Sequence, residues 1–82
     1  MNPEVNYQPI ACTLHEGLEF AVLKRKKLQM RYRNAGGQEM ISTILPLDVY
    51  SANAAEWLKM QHADGRVEIL RLDAILSFAD QI

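Results

Sequence analysis

The chain has 82 residues, 49% of them hydrophobic and 23% charged, with a net charge of −1 and a single cysteine, Cys12. Such a composition describes one small globular domain with a thin core, and it excludes a disordered chain, an internal disulfide and a cysteine-built metal cluster. No apolar run approaches the ~18–20 residues that cross a bilayer, and the opening MNPEVNYQPI lacks a secretory signal's basic and apolar regions, so a monomeric cytoplasmic protein away from membranes is expected.

Charge is distributed unevenly. Residues 1–23 carry Glu4, Glu16 and Glu19 and no Lys or Arg, and residues 24–33 carry Lys24, Arg25, Lys26, Lys27, Arg31 and Arg33 and no acid. The remainder is net acidic. One basic block between two acidic stretches offers surfaces of both signs.

Residues 1–9 contain Pro3 and Pro9 and predict an extended lead-in. Thr13-Leu14-His15-Glu16 has the spacing of a capping box, with the Thr13 hydroxyl accepting from the Glu16 amide. The helix this starts, over 13–24, places Leu14, Leu18, Ala21 and Val22 on one face. His15, Glu16 and Glu19 fall toward the other side, with Phe20 and Leu23 near them. Gly17 weakens the helix by ~1 kcal/mol relative to alanine. From Leu28 the period becomes two: Leu28, Met30 and Tyr32 alternate with Gln29, Arg31 and Arg33, which marks a half-buried strand. Asn34-Ala35-Gly36-Gly37 supplies a tight turn. A second strand over 38–45 is expected to end at Pro46, which cannot donate to a ladder. Residues 47–55 read as a connecting loop, 56–61 as a third strand, Ala63-Asp64-Gly65 as a turn, 66–71 as a fourth strand, and 75–79 as a last strand after a break at 72–74. The result is an α+β, mostly β single domain spanning 1–82. Its five strands, within 28–79, are expected to curl into a small barrel that removes exposed edges.

Catalytic constellations are sparse. His15 and His62, read as lying on the helix and at a turn, have no ligand-like spacing to Cys12 or to each other, so neither a metal nor a cofactor is expected. A Cys12–His15 nucleophile–base pair lacks a third, orienting group, and Cys12 reads as a small buried hydrophobe. Gly36-Gly37 lacks the spacing of a phosphate-binding loop. The chain does not read as an enzyme.

Three features can carry recognition. The acidic side of the helix, Glu16 and Glu19 flanked by His15, Phe20 and Leu23, suits a contact surface, against the alternative that Phe20 packs in the core. Lys24, Arg25, Lys26 and Lys27, with Arg31 and Arg33 beyond them, suit nucleic acid, against the alternative of a solvated helix–strand junction. In the third feature, Tyr50 to Trp57, either the loop recognises a partner or Trp57 fills or covers the barrel.

Several segments resemble the Rho-binding antiterminator (Rof) family. Tyr7-Gln8-Pro9-Ile10 followed by Cys12 and then Leu18-Glu19 is similar to that family's opening. Glu56-Trp57-Leu58 resembles its Glu-aromatic-Leu strand start, and Arg71-Leu72-Asp73-Ala74-Ile75 with Ser77-Phe78 its RLD-x-I-x-SF ending. The resemblance implies an Sm-like five-stranded barrel with an N-terminal helix. It also implies docking on the N-terminal RNA-binding region of the transcription termination factor Rho, in competition with RNA. His15, Glu16, Glu19, Ser51 and Asn53 would then form the Rho-facing surface. Thr13, Leu14 and His15 depart from the family's acidic and aromatic pattern at the helix start. The alternative is an Sm-like RNA-binding module using Lys24, Arg25, Lys26, Lys27, Arg31 and Arg33.

Overall fold

A computed structural model of the chain describes residues 12–81. The expected lead-in over 1–9 lies outside them. A helix, α1 (Cys12–Lys24), is followed by β1 (Leu28–Arg33), β2 (Glu39–Ala52), β3 (Ala55–His62), β4 (Val67–Arg71), a 3-10 turn (Leu72–Ala74) and β5 (Ile75–Asp80). All strand pairs are antiparallel, and the sheet order is β4-β3-β2-β1-β5. The domain is therefore α+β and mostly β. Its ladder is open, because β4 and β5 stand at opposite ends and do not pair.

The helix runs from Cys12, which puts Thr13 inside it rather than at its cap. Leu18 and Ala21 are buried and Leu14 and Val22 half-buried, as the helical spacing requires. Gly17 has a packing reason: a Cβ there would come within 3.2 Å of the Phe78 ring, so glycine lets β5 approach the helix. The helix ends in a Schellman motif. Arg25 adopts a left-handed conformation (φ 53°), its amide donating to the Val22 carbonyl at 3.3 Å and that of Lys26 to Ala21 at 2.9 Å. Much of the basic block thus occupies a helix C-terminus, where positive charge complements the dipole.

β1 alternates buried and exposed along its whole length, as its sequence predicts. Leu28, Met30 and Tyr32 join Leu18, Ala21, Ile44, Leu58, Met60, Leu70, Leu72 and Ile75 in one core. The turn after β1 forms at the expected place. There the Asn34 carboxamide oxygen accepts from the amides of Gly36 and Gln38, both at 3.0 Å.

The expected loop over 47–55 is instead strand and hairpin. β2 continues through Pro46 to Ala52 and pairs with β3 along most of that length. Pro46 is tolerated because the register shifts between Pro46 and Asp48, and at such a bulge a missing donor costs no ladder bond. Asn53 (φ 52°) and Ala54 (φ 60°) close the hairpin with the two positive φ values of a tight two-residue turn. Cys12 is exposed, contrary to the buried reading. No helix among the described residues is long and apolar enough to cross a membrane.

Candidate functional site

Two parts of the surface bring chemistry together. The first is the seam between the free edge of β4 and the turn after β1. Arg33, Asn34 and Ala35 bound it on one side, and Ile69, Arg71, Asp73 and Ala74 on the other, around a cleft of about 450 Å³. Trp57 stands at its rim. Antiparallel pairing aligns Tyr50 with Trp57 and Trp57 with Arg71, so these three side chains form a cross-strand row on one sheet face. Leu58 and Met60, of the opposite parity, are buried, which makes this the outer face. Trp57 is half-buried and fixed, its indole N–H donating to the Ala52 carbonyl at 2.8 Å. Arg71 Nε donates to Asp73 Oδ1 at 2.7 Å, which orients a guanidinium about one-third exposed (32%). Trp57 stands in the third strand as expected but does not fill a barrel, since it is half-buried outside the core.

Behind the seam lies a buried polar chain. His62, the last residue of β3, flanks the turn as expected and is buried. Its Nε2 meets Glu68 Oε1 at 2.7 Å and its Nδ1 meets Ser42 Oγ at 3.0 Å. The Tyr32 hydroxyl donates to the same Glu68 oxygen at 3.3 Å. Burial, and then the Glu68 charge, push the Tyr32 phenol above its ordinary pKa. This chain closes one end of the core and satisfies its polar groups. Sequence reading missed it because its members come from four strands.

The second part is the helix surface. His15 is not a free contact residue: its Nδ1 meets Glu19 Oε1 at 3.1 Å and its Nε2 meets Glu56 Oε2 at 2.8 Å, tying α1 to the start of β3. Burial alone would lower the His15 pKa, but hydrogen bonding to and the charge of Glu56, with Glu19 adding to them, raise it. Glu16 and Glu19 are exposed on the helix as expected. Ser51 belongs to the end of β2 and Asn53 to the hairpin turn that follows it. Phe20 and Leu23 are exposed (51% and 81%), so the core reading of Phe20 does not hold.

The basic residues do not form one site. Lys26 pairs with Asp80 at 2.8 Å, and Lys24 and Lys26 lie 5.8 and 5.6 Å from the Phe20 ring centre. Arg31 pairs with Glu39 at 3.0 Å on the sheet face, while Arg33 donates to the Gly37 carbonyl at 3.4 Å beside the seam. Among the described residues, no group of three or more His, Cys, Asp or Glu side chains is placed to hold a metal ion.

Comparison with known proteins assigns these features differently from the sequence resemblance. The model of the WYL domain matches residues 13–79. The proteasome accessory factor B/C (PafBC) of Arthrobacter aurescens superposes with a TM-score of 0.74 at 20% identity, over 89% of this chain and 12% of that one. At that identity the likeness is one of fold, and this chain spans only about an eighth of PafBC's length. No curated protein matches the sequence. These findings overturn the Rof assignment, and with it inhibition of Rho-dependent termination, docking on Rho, and competition there with RNA. The Glu-aromatic-Leu and RLD-x-I segments that carried the resemblance supply core and turn residues: Leu58, Leu72 and Ile75 are buried, and Arg71 binds Asp73. They report a way of packing a small sheet, which chains with different partners share.

Proposed function

From the premise that this chain belongs to the WYL domain family, we propose that it is a non-enzymatic recognition module of a regulatory protein acting in transcription, and that its seam cleft takes a nucleotide unit. The observation that carries this reading is the Tyr50–Trp57–Arg71 row, of which Trp57 and Arg71 line the cleft. A half-buried indole offers a face for stacking a base, and an oriented guanidinium offers the planar fork that suits phosphate. Arg33 on the facing side adds a second positive group. The cleft's two carboxylates are already engaged, Asp73 by Arg71 and Glu68 by His62 and Tyr32, so they repel an anion less than bare acids would.

The same reading treats the open sheet as an Sm-like barrel left unclosed between β4 and β5. Support comes from the turn after β1 standing across the cleft from β4, which requires the sheet to curl. A cytoplasmic setting is consistent with such a role.

Trp57 is the sole tryptophan, so its fluorescence reports the site directly. Titration with a nucleoside monophosphate and with a short single-stranded DNA should change its emission saturably. Arg71→Ala should weaken that binding at least about ten-fold, as expected for a lost charge-assisted contact. An emission unchanged by both probes would refute the assignment.

A further inference from the structure

The exposed face of α1 matches a second copy of itself, and we infer that the chain forms a two-fold dimer through this helix, packed antiparallel. Three features of the face carry the inference. Its N-terminal half bears exposed Glu16 and Glu19, the latter paired with His15, and no Lys or Arg, and its C-terminal end bears exposed Lys24, with Arg25 and Lys27 immediately beyond. Between the two signs lie Phe20 and Leu23, exposed to 51% and 81%. Thirdly, the face is open: the helix buries Leu18 and Ala21 on its inner side, and Glu16, Arg25 and Lys27 make no side-chain ion pair among the described residues.

A helix acidic at one end and basic at the other is self-complementary only when its partner runs antiparallel. A two-fold axis near Phe20 and Leu23 then sets each copy's Glu16 and Glu19 against the other's Lys24 and Lys27, and the two apolar pairs meet at the axis. Such isologous pairing counts every favourable contact twice. In a parallel pairing, acid would face acid and base would face base. Beside Leu23, the side chains of Glu19, Val22, Asp48 and Val49 line a recess of about 210 Å³ between α1 and β2. That recess borders the apolar centre that Phe20 and Leu23 form with their counterparts. The charged rim around that centre selects the partner and the orientation, as e and g charges do in paired helices.

The test separates this surface from any other route to self-association. Sedimentation equilibrium of the 82-residue chain should show a reversible monomer–dimer equilibrium. Glu16→Lys with Glu19→Lys, and separately Lys24→Glu with Lys27→Glu, should each weaken the dimer by about ten-fold or more through like-charge contacts. Circular dichroism checks that both variants fold. Mixing the two variants should restore a dimer made of one copy of each, because every reversed contact is then attractive again. A strictly monomeric chain at millimolar concentration would overturn the inference. So would a dimer indifferent to both charge reversals, or two folded variants that fail to recombine.

Discussion

Glu68 is the acceptor on which the buried polar chain depends, and its removal makes a quantitative prediction. Its Oε1 receives the His62 Nε2 hydrogen at 2.7 Å and the Tyr32 hydroxyl at 3.3 Å. Both partners are nearly inaccessible, at 7% and 2%. Glu68→Ala leaves two buried donors unpaired, and each such group costs about 1–3 kcal/mol. The loss expected is about 2–6 kcal/mol, out of a total of about 4–12 kcal/mol for a chain of this length. The third neighbour contributes little: Arg66 lies at 3.6 Å and is largely exposed (61%), so its pairing with Glu68 is screened. Glu68→Gln keeps an oxygen in place and should cost less than half as much. Urea denaturation followed by Trp57 emission measures both variants. With a slope of about 1 kcal/mol per molar urea, the midpoint of the alanine variant should fall by about 2 M or more. A shift under about 0.5 M for alanine would refute the view that these bonds hold that end of the core. A glutamine variant as unstable as alanine would show that the charge, rather than the accepting oxygen, is required.

Three further outcomes follow from the structure. Ala54 sits at φ 60°, so Ala54→Gly, which creates the Asn-Gly pair favoured in such turns, should raise stability by about 1 kcal/mol, read as a higher Tm. Leu58→Ala, at a fully buried core position, should cost about 2–5 kcal/mol, whereas Leu23→Ala on the exposed helix face should stay within about 0.5 kcal/mol at concentrations where the chain is monomeric. Because the folded-state pKa of His15 is raised above its ordinary value, its pairing with Glu56 and Glu19 contributes stability fully below that ordinary value and loses it as pH rises through the folded one. Urea midpoints should therefore carry a His15-linked fall as pH rises above the ordinary histidine value of about 6.5, and His15→Gln should lack it.

Local pattern alone determined much of this protein. The alternation of Leu28, Met30 and Tyr32 with Gln29, Arg31 and Arg33 fixes β1, because a strand's period of two needs only one buried face to be read. The spacing of Leu18 and Ala21 sets the inner face of α1, and Asn34 with Gly37 and Asp64 with Gly65 mark two turns through their own backbone preferences. What tertiary structure decided is whatever depends on a partner strand. Pro46 looks like a terminator in sequence, and only the bulge opposite β3 shows why the ladder continues past it. Ser51 and Asn53 read as loop because neither they nor Ala54 announce a tight hairpin, which β2 and β3 impose by pairing on both sides. Trp57 and Arg71 are separated along the chain and meet only through the register of β3 against β4. Ser42, His62, Glu68 and Tyr32 converge for the same reason, since each is supplied by a different strand. Family assignment failed at the same boundary: short motifs encode how Leu58, Leu72 and Ile75 fill a core, and packing of that kind carries no information about what the outer surface binds.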